Sequence, residues 1–260
     1  MPYCILVHGS DLKYSSRSKI DAFISSKILK NASMILVNSK YTKDRVLEKG
    51  YKRSKIKVLN PGVDTKIFQP NIDTHKIKER YKLFNRRIVL TVARLVPRKG
   101  HEIVIKAIPE VIKHIPNLVY IIAGTGEEES RLKEMVDKLK IRAHVIFTGF
   151  MEKELLPQLY NACDIFVMPS YERQEFGDFE GFGIAFLEAN ACEKPVIGGR
   201  SGGIEDAVVD GETGLLVDSH NVSEIIDAVV RLLKNRDLAE KLGQNGRDRV
   251  EKKLSWQKIG

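Results

Sequence analysis

Two carboxylates that could act on one ligand stand eight positions apart in the stretch EGFGIAFLE, at Glu180 and Glu188. A glycine-rich turn accompanies the first, and an apolar run leads to the second. If a helix begins near Gly181, a rise of about 1.5 Å per residue separates the carboxylates by roughly 12 Å, and the helical rotation leaves them within about 80° of each other. The spacing therefore predicts that both carboxylates serve one elongated ligand.

Between these glutamates, the first turn of the predicted helix leaves the amides of Phe182, Gly183 and Ile184 without acceptors inside the helix. Together with the helix dipole, these amides form an anion site that suits a diphosphate. A carboxylate beyond each end of a diphosphate indicates a sugar at one end and a ribose at the other. The alternative is a capping Glu180 and a solvated Glu188. The neighbours of Glu188 are apolar, however, and a carboxylate there needs a partner or a ligand.

Loops after other apolar runs carry groups for the same kind of ligand. Arg94 and Lys99 follow a predicted strand at residues 88–93, where two cations can neutralise a diphosphate without a metal. Gly124 begins the turn Gly-Thr-Gly after the next strand, and this turn is too short for a dinucleotide fingerprint. We interpret it as a tight turn, with contact to phosphate as a second role. The glycine-rich segment 198–203 either approaches a ligand or simply turns sharply.

The composition is typical of a folded α/β protein, since 43% of the 260 residues are hydrophobic and 30% are charged. Cys4, Cys163 and Cys192 are widely spaced and odd in number, which indicates reduced thiols in a cytosolic compartment. No apolar run approaches the ~18 residues that a membrane span needs, and the first residues turn polar too soon for a signal peptide. We therefore expect a cytoplasmic protein, either soluble or peripheral at the inner face of the membrane.

The net charge of +9 comes from the first 60 residues, which hold 13 Lys and Arg against 4 Asp and Glu. In segment 13–30, basic residues surround the apolar side chains of Ile20, Phe23, Ile24 and Ile28. The basic residues of this segment are Lys13, Arg17, Lys19, Lys27 and Lys30. Two interpretations remain open: an amphipathic helix that meets anionic lipid headgroups, and a helix that covers a sheet with its lysines in water. We do not expect nucleic acid as a partner, because no nucleic-acid-reading motif accompanies the charge.

Short runs rich in Val, Ile and Leu alternate with amphipathic stretches, which predicts parallel sheets covered on both faces by helices. Ligands in such folds gather at the carboxyl ends of the strands. The predicted strands are residues 4–7, 34–38, 57–60, 88–93, 118–123, 144–148, 165–168, 195–198 and 214–217. The predicted helices are residues 17–31, 40–49, 102–114, 128–139, 152–161, 182–192, 221–234 and 236–250.

The segment NPGVDTKIFQPN has turn chemistry and little apolar periodicity, so it indicates a boundary between two α/β units. We predict a first unit at residues 1–60, a linker at 61–71 and a second unit at 72–260. The second unit has enough strands for a complete domain. The first has three, and because three parallel strands leave a sheet edge to be covered, it is typical of the last part of a larger domain.

Taken together, these segments resemble the GT-B glycosyltransferases of the large retaining family four. The resemblance covers almost the whole chain through HGSDL, LVNSKYT, LNPGVDTKIF, LTVARLVPRKG, YIIAGTGEE, VIFTGF, DIFVMPS, EGFGIAFLEANACEKPVIGG and GGIEDAVVDGETGLLV. Within the family, ARLVPRKG and FGDFEGFGIAFLEA are most similar to the phosphatidylinositol mannosyltransferase type. The resemblance implies a Rossmann-like parallel-sheet C-terminal domain that binds the nucleotide sugar. It also implies that the last part of a second, acceptor-side Rossmann-like domain precedes it, since full members have further residues before HGSDL.

The resemblance also implies a role for each candidate residue. Arg94 and Lys99 would hold the donor diphosphate, Glu180 would bind hydroxyls of the donor sugar, and Glu188 would bind the ribose hydroxyls. His8, at the end of the first predicted strand, would face the transferred sugar from the N-terminal domain.

The remaining candidates belong to the donor site as well. The amides of residues 182–184 would meet sugar and phosphate oxygens, and the turn formed by Gly149 and Phe150 would lie near the base. Gly124 would contribute to the phosphate side of the same site.

The implied reaction transfers a hexose, of mannose or glucose type, from a donor such as GDP-mannose or a UDP-sugar to a hydroxyl of a lipid, glycan or other acceptor. The acceptor attacks the face from which the diphosphate departs, and a phosphate oxygen takes its proton. Arg94, Lys99 and the helix start would stabilise the charge that grows on the leaving group. The chain contains no Asp-x-Asp sequence, so we expect neither a metal nor a cofactor besides the donor. A non-catalytic sugar-nucleotide-binding fragment and a nucleotide-sugar epimerase or hydrolase remain as alternatives.

Overall fold

A computed structural model describes residues 1–9, 11 and 19–259 of the chain. Nine β-strands lie in these residues, and within each sheet every strand is parallel to its neighbours. They are β1 (Cys4–Val7), β2 (Met34–Val37), β3 (Ile56–Val58), β4 (Arg87–Val92), β5 (Leu118–Ala123), β6 (Val145–Gly149), β7 (Ile165–Met168), β8 (Val196–Gly199) and β9 (Gly214–Val217). Each lies where a Val, Ile and Leu-rich run predicted a strand, and the predicted α/β class is confirmed.

The strands form two separate sheets. One has the order β1-β2-β3, and the other has the order β6-β5-β4-β7-β8-β9. The chain begins the larger sheet at its centre with β4, adds β5 and β6 on one side, and then crosses to add β7, β8 and β9 on the other. A parallel sheet opens a crevice at the carboxyl ends of the strands where the order reverses in this way. The loops that follow β4 and β7 therefore flank that crevice.

Helices connect the strands and cover the larger sheet. Within the described residues they are α1 (Lys19–Asn31), α2 (Lys40–Glu48), α3 (His75–Arg80), α4 (His101–His114), α5 (Glu129–Lys138), α6 (Leu156–Ala162), α7 (Ile184–Ala191), α8 (Ile204–Ala207), α9 (Val222–Lys234), α10 (Arg236–Arg249) and α11 (Trp256–Ile259). The sequence patterns did not predict α3, α8 and α11. These helices have only four to six residues, too few to show a helical period.

The larger sheet is buried on both faces. All six residues of β5 are buried, which is why its sequence LVYIIA shows no polar alternation. On one face, Ile122 packs in a cluster with Ile105 of α4 and Val229 of α9. On the other face, Ile121 shares a cluster with Phe186 of α7. The strands that carry the candidate site therefore stand on a rigid, fully packed support.

The smaller sheet packs against a loop of the larger unit. Its own core includes Val7 and Ile35, and Phe179, which follows β7, inserts into that core. The ring of Tyr41 meets Phe179 edge to face at a centroid distance of 5.1 Å. Glu172, at the start of the same loop, accepts a hydrogen bond from the Tyr41 hydroxyl. These contacts place the end of β1 beside the crevice.

The segment between the two sheets is tied to the last part of the chain. The Val63 amide donates to the Leu254 carbonyl at 2.9 Å, and the Trp256 amide donates to the Val63 carbonyl at 3.2 Å. The Arg247 guanidinium donates to the Phe68 carbonyl at 2.9 Å. The linker thus has fixed partners, although its sequence shows little periodicity.

In the parts of the chain that the structure describes, none of the helices combines the length and the apolar character that crossing a bilayer requires.

Candidate functional site

The loop after β4 supplies the cations of the site. Pro97 opens a single 3₁₀ turn that ends at Lys99, and Gly100 follows in the left-handed conformation at φ 75°. A Cβ at Gly100 would lie 2.4 Å from the Pro169 carbonyl oxygen, so glycine is required where this loop meets the end of β7. Arg94 is exposed, whereas the Lys99 side chain is largely buried.

Glu180 occupies the centre of a buried charge network. Its Oε2 accepts a hydrogen bond from Lys99 Nζ and another from Arg98 Nη1 at 2.7 Å. Arg98 Nε lies 3.1 Å from Asp178 Oδ1. The side chains of Arg98, Lys99 and Glu180 are only 9%, 12% and 12% exposed. We call Arg94, Arg98, Lys99, Asp178 and Glu180 the charge cluster.

The charge cluster favours an ionised Glu180 and carries an excess of positive charge. Burial raises the pKa of Glu180, but Lys99 and Arg98 outweigh it, so that the pKa lies below its usual value. Burial lowers the pKa of Lys99, and the nearby cations Arg98 and Arg94 lower it further against the opposing effect of Glu180. Because three cations face two carboxylates, the charge cluster has an excess positive charge that a bound phosphate would neutralise.

Helix α7 begins later than the sequence predicted. Gly183 precedes its first residue with φ 93°, and Glu180 lies outside the helix. The prediction of a helix that starts near Gly181 is therefore wrong, and so are the axial distance and rotation derived from it. Among the described residues, no group accepts from the amides of Phe182, Gly183 and Ile184. The helix start retains free donors, and their role toward a donor molecule stays a prediction.

Glu188 lies inside α7 and has a protein partner. The Tyr160 hydroxyl donates to Glu188 Oε2 at 2.7 Å. Burial raises the pKa of Glu188, and the hydrogen bond from Tyr160 acts in the opposite direction. Among the described residues, no group donates to Oε1, which leaves this oxygen as an acceptor for a ligand. The proposed contact with ribose hydroxyls stays a prediction.

The loops after β4, β5 and β6 meet through two of the predicted glycines. Gly124 has φ 146°, and a Cβ there would lie 2.0 Å from the Ala93 carbonyl oxygen. Its amide donates to the Gly149 carbonyl at 2.9 Å. Phe150, directly after this glycine, is 77% exposed. The structure thus brings Gly124 and Gly149 together at the strand ends, and the contact of Gly149 and Phe150 with a base stays a prediction.

His8 reaches the site from the smaller sheet. Its carbonyl oxygen would lie 2.4 Å from a Cβ at Gly181, so the end of β1 touches the loop that carries Glu180. The same carbonyl accepts from Asn38 Nδ2 at 3.4 Å, and the His8 amide donates to Asp11 at 2.7 Å. The His8 side chain is exposed. Its orientation toward a transferred sugar stays a prediction.

Sequence reasoning did not assign Arg98, Asp178 or Tyr160 to the site. A signal was available for the first two, because Arg98 adjoins Lys99 and Asp178 stands two residues before Glu180. Tyr160 carried no local signal, since it contacts Glu188 across a separation of 28 positions. In the described part of the chain, no three His, Cys, Asp or Glu residues are arranged to hold a metal ion. The metal-free site stays a prediction.

Two parallel sheets that meet beside a switch-point crevice, with cations and two glutamates at its edge, define a GT-B type of fold. Residues 73–249 match the family described as Glycosyl transferases group 1, and residues 1–67 match Glycosyltransferase Family 4. The chain therefore belongs to the group 1 glycosyltransferases, which confirms the resemblance found in the sequence.

Named relatives and solved structures agree with this assignment. One relative is the GDP-mannose-dependent alpha-(1-6)-phosphatidylinositol monomannoside mannosyltransferase of Mycolicibacterium smegmatis, to which the chain is 37% identical over 235 residues. This alignment covers 90% of this chain and 62% of the mannosyltransferase. The sucrose-phosphate synthase of Thermosynechococcus elongatus superposes with a TM-score of 0.83 at 28% identity, over 100% of this chain and 65% of that one. HepE of Anabaena in complex with UDP and glucose shares the fold with a TM-score of 0.87 at 22% identity, over 99% of this chain and 69% of that one.

Proposed function

We propose that the protein transfers a hexose from a nucleotide diphosphate sugar to a hydroxyl group of a lipid or glycan acceptor, with retention of configuration. The observation that carries this proposal is the buried Glu180, whose carboxylate is bound by Lys99 and Arg98 and which lies four residues before the first residue of α7. The mannosyltransferase from M. smegmatis supports GDP-mannose as the first donor to test. A UDP-sugar is the alternative donor.

The diphosphate would bind where the cations and the amides converge. The exposed Arg94 and the ammonium of Lys99 supply charge, and the amides of Gly183 and Ile184 supply directed donors. Glu180 would then accept hydrogen bonds from hydroxyls of the hexose. A charged acceptor makes stronger hydrogen bonds than a neutral one, so an ionised Glu180 suits this role.

The transfer breaks the bond between the anomeric carbon and the diphosphate oxygen, and the electron pair stays on that oxygen. The acceptor hydroxyl attacks the anomeric carbon from the same face, and its proton passes to the departing phosphate oxygen. Arg94, Lys99 and the free amides at the start of α7 would stabilise the negative charge that develops there. In this scheme no carboxylate forms a bond to the sugar, and neither a metal nor a further cofactor is needed.

A first experiment measures thermal stability with GDP-mannose, other GDP-sugars, UDP-sugars and ADP-sugars, because a ligand that binds only the native state raises stability. The stabilising donor is then incubated with candidate acceptors and with EDTA, and the sugar products are separated. Transferred sugar in the presence of EDTA is the expected result. Binding without turnover would indicate a non-catalytic module, and epimerised or free sugar would indicate an epimerase or a hydrolase.

We also propose that α1 brings the protein to an anionic membrane, where a lipid acceptor would be found. Ile20, Phe23, Ile24 and Ile28 follow helical spacing and are all more than two-fifths exposed, the first two at 70% and 68%. Lys27 Nζ lies 6.0 Å from the centre of the Phe23 ring. The predicted contributions of Lys13, Arg17 and the Lys19 side chain lie outside the described part of the structure.

The charge of this region favours lipid headgroups over a neutral surface, because basic residues near an apolar stripe add electrostatic attraction to burial. Co-sedimentation with phosphatidylcholine vesicles, with and without phosphatidylinositol, tests this contact. We expect binding to the anionic vesicles and a loss of binding for Phe23→Ser. Ile67→Ser is the matched control, since Ile67 is 53% exposed on the linker. If the wild-type protein sediments with neither kind of vesicle, or if Phe23→Ser and Ile67→Ser bind the vesicles equally well, the proposed membrane contact is wrong.

A further inference from the structure

We propose that Arg98 is a positioning residue that holds Glu180 in place for the donor sugar, and that Asp178 in turn fixes the orientation of Arg98. The inference rests on the proposed function, because it assigns a role to residues that surround the same donor site. Two cations bind the Glu180 carboxylate, and of these Lys99 would move when the donor binds, whereas Arg98 would stay in place.

The contacts of Arg98 leave it little freedom. One nitrogen, Nη1, binds Glu180 Oε2 at 2.7 Å, and another, Nε, lies 3.1 Å from Asp178 Oδ1. The Arg98 carbonyl also accepts the Tyr171 amide at 2.9 Å, which ties its backbone to the loop after β7. A planar guanidinium with partners on two sides is a directional clamp, which a lysine ammonium cannot reproduce.

Lys99 has weaker fixed partners than Arg98, because only one of its two contacts in the described part of the chain is with a carboxylate. Among the described residues, its ammonium contacts the carboxylate of Glu180 and the sulfur of Met168 at 3.7 Å. An arriving diphosphate would offer Lys99 a stronger partner than a thioether. Lys99 can then turn toward phosphate while Glu180 keeps one buried cation. Without Arg98, the same movement would leave Glu180 buried and unpaired, which is costly for a carboxylate.

This division of roles predicts different consequences for the two cations. Loss of Lys99 removes a phosphate contact and weakens the nucleoside diphosphate and the sugar donor together. Loss of Arg98 leaves the phosphate contacts in place and affects the ligand that carries a sugar. Of the two cations, therefore, only Arg98 should reduce the advantage of the sugar-bearing donor over the free diphosphate when it is replaced.

The test compares Arg98→Gln, Arg98→Lys, Asp178→Asn and Lys99→Ala with wild type. Calorimetry measures the dissociation constants of the nucleoside diphosphate and of the donor, and steady-state assays give kcat and KM. For Arg98→Gln we expect the donor's advantage to fall roughly ten- to a hundredfold, typical of a lost charge-assisted hydrogen bond, with diphosphate affinity within about twofold of wild type. Arg98→Lys should recover only part of the donor's affinity advantage over the free diphosphate. Asp178→Asn should also reduce this advantage, but by less than Arg98→Gln.

A pH profile supplies a readout that a general loss of stability would not change. Because Arg98 favours the ionised carboxylate, the acidic limb of the kcat profile should move to higher pH in Arg98→Gln. The matched control is Arg87→Gln, which breaks an ion pair of 2.8 Å with Asp164 at the opposite end of β4. The control should leave the donor's advantage and the pH profile unchanged.

The outcomes separate this inference from the function on which it rests. If wild type binds neither nucleoside diphosphates nor their sugars, the proposed function fails and the role of Arg98 fails with it. If wild type binds and transfers sugar but Arg98→Gln matches it in donor affinity and pH profile, only the positioning role is overturned. Equal losses for both ligands in Arg98→Gln would also overturn it, since they would make Arg98 a phosphate contact or a folding residue.

Discussion

The backbone amide of Gly203 donates a 2.8 Å hydrogen bond to the carbonyl oxygen of Glu180. A Cβ at Gly203 would lie 2.0 Å from the Gly181 carbonyl oxygen, so only glycine permits this approach. The loop after β8 therefore fixes the backbone of Glu180, while the loop after β4 fixes its carboxylate. Two strands on opposite sides of β7 cooperate to place one side chain.

Gly203→Ala should accordingly displace the Glu180 loop without touching any side chain of the charge cluster. We expect weaker binding of the sugar-bearing donor and a smaller change for the nucleoside diphosphate, measured by calorimetry. Gly211→Ala is the control, because Gly211 lies in the same connection between β8 and β9 but has no atom within 4 Å of an added Cβ. Its φ of 73° adds backbone strain of its own. If both variants bind the donor equally well, the close approach at Gly203 has no functional consequence.

The two glutamates should respond in a crossed pattern. Glu188→Gln exchanges a charged acceptor for an amide at the proposed ribose contact, so the nucleoside diphosphate itself should bind less tightly, by roughly tenfold or more. Glu180→Gln should leave that affinity nearly intact and reduce the extra affinity of the sugar-bearing donor. Both ligands are titrated into both variants. The absence of any loss in either variant would return both residues to a structural role.

Glu188→Gln should weaken binding of the nucleoside diphosphate but increase the stability of the folded protein. The raised pKa of Glu188 means that the folded state holds this proton more tightly than the unfolded chain, so stability falls as pH rises from the unfolded to the folded pKa. The glutamine has no proton to lose, and the Tyr160 hydroxyl can still donate to it. We expect Glu188→Gln to unfold at a higher temperature than wild type near pH 8, and the difference to shrink at pH 4. A lower unfolding temperature at both pH values would contradict this account.

His101 predicts a pH dependence of the opposite sign. It is 2% exposed, Nε2 lies 3.1 Å from the Arg94 carbonyl oxygen, and burial lowers its pKa from 6.5 to about 4. At a pH between these two pKa values, His101 is protonated in the unfolded chain but not in the folded state. The free energy of unfolding therefore decreases as the pH falls through this range. The full effect is on the order of 3 kcal/mol at 1.36 kcal/mol per pKa unit.

His101→Gln should flatten this part of the stability profile. Urea unfolding at several pH values between 4 and 7 compares wild type with the variant, and His114→Gln is the control because His114 is exposed. A wild-type profile with the same slope as His101→Gln would show that His101 does not titrate as its burial indicates.

Local composition predicted the strands of this fold because parallel strands are apolar on both faces, as LVYIIA of β5 illustrates. It also placed Arg94 and Lys99 just after a strand, and the structure has β4 ending at Val92. It did not predict the start of α7, which was expected near Gly181, because only the folded chain shows that Gly183 adopts a φ of 93° before the first helical residue. Nor did it predict the role of Arg98, whose bond to Glu180 joins positions 82 apart.

The separation in sequence between Lys99 and Glu180 has a consequence for synthesis on the ribosome. These partners are 81 positions apart, because β5 and β6 are added to the sheet before the chain crosses to β7. A nascent chain exposes Lys99 long before its carboxylate exists, and an unpaired lysine stays in water because its burial is costly. We therefore expect the edge of the sheet at β4 to stay open during translation until β7 and the loop after it have emerged. Nucleotide affinity should appear late and abruptly in a series of stalled chains of increasing length.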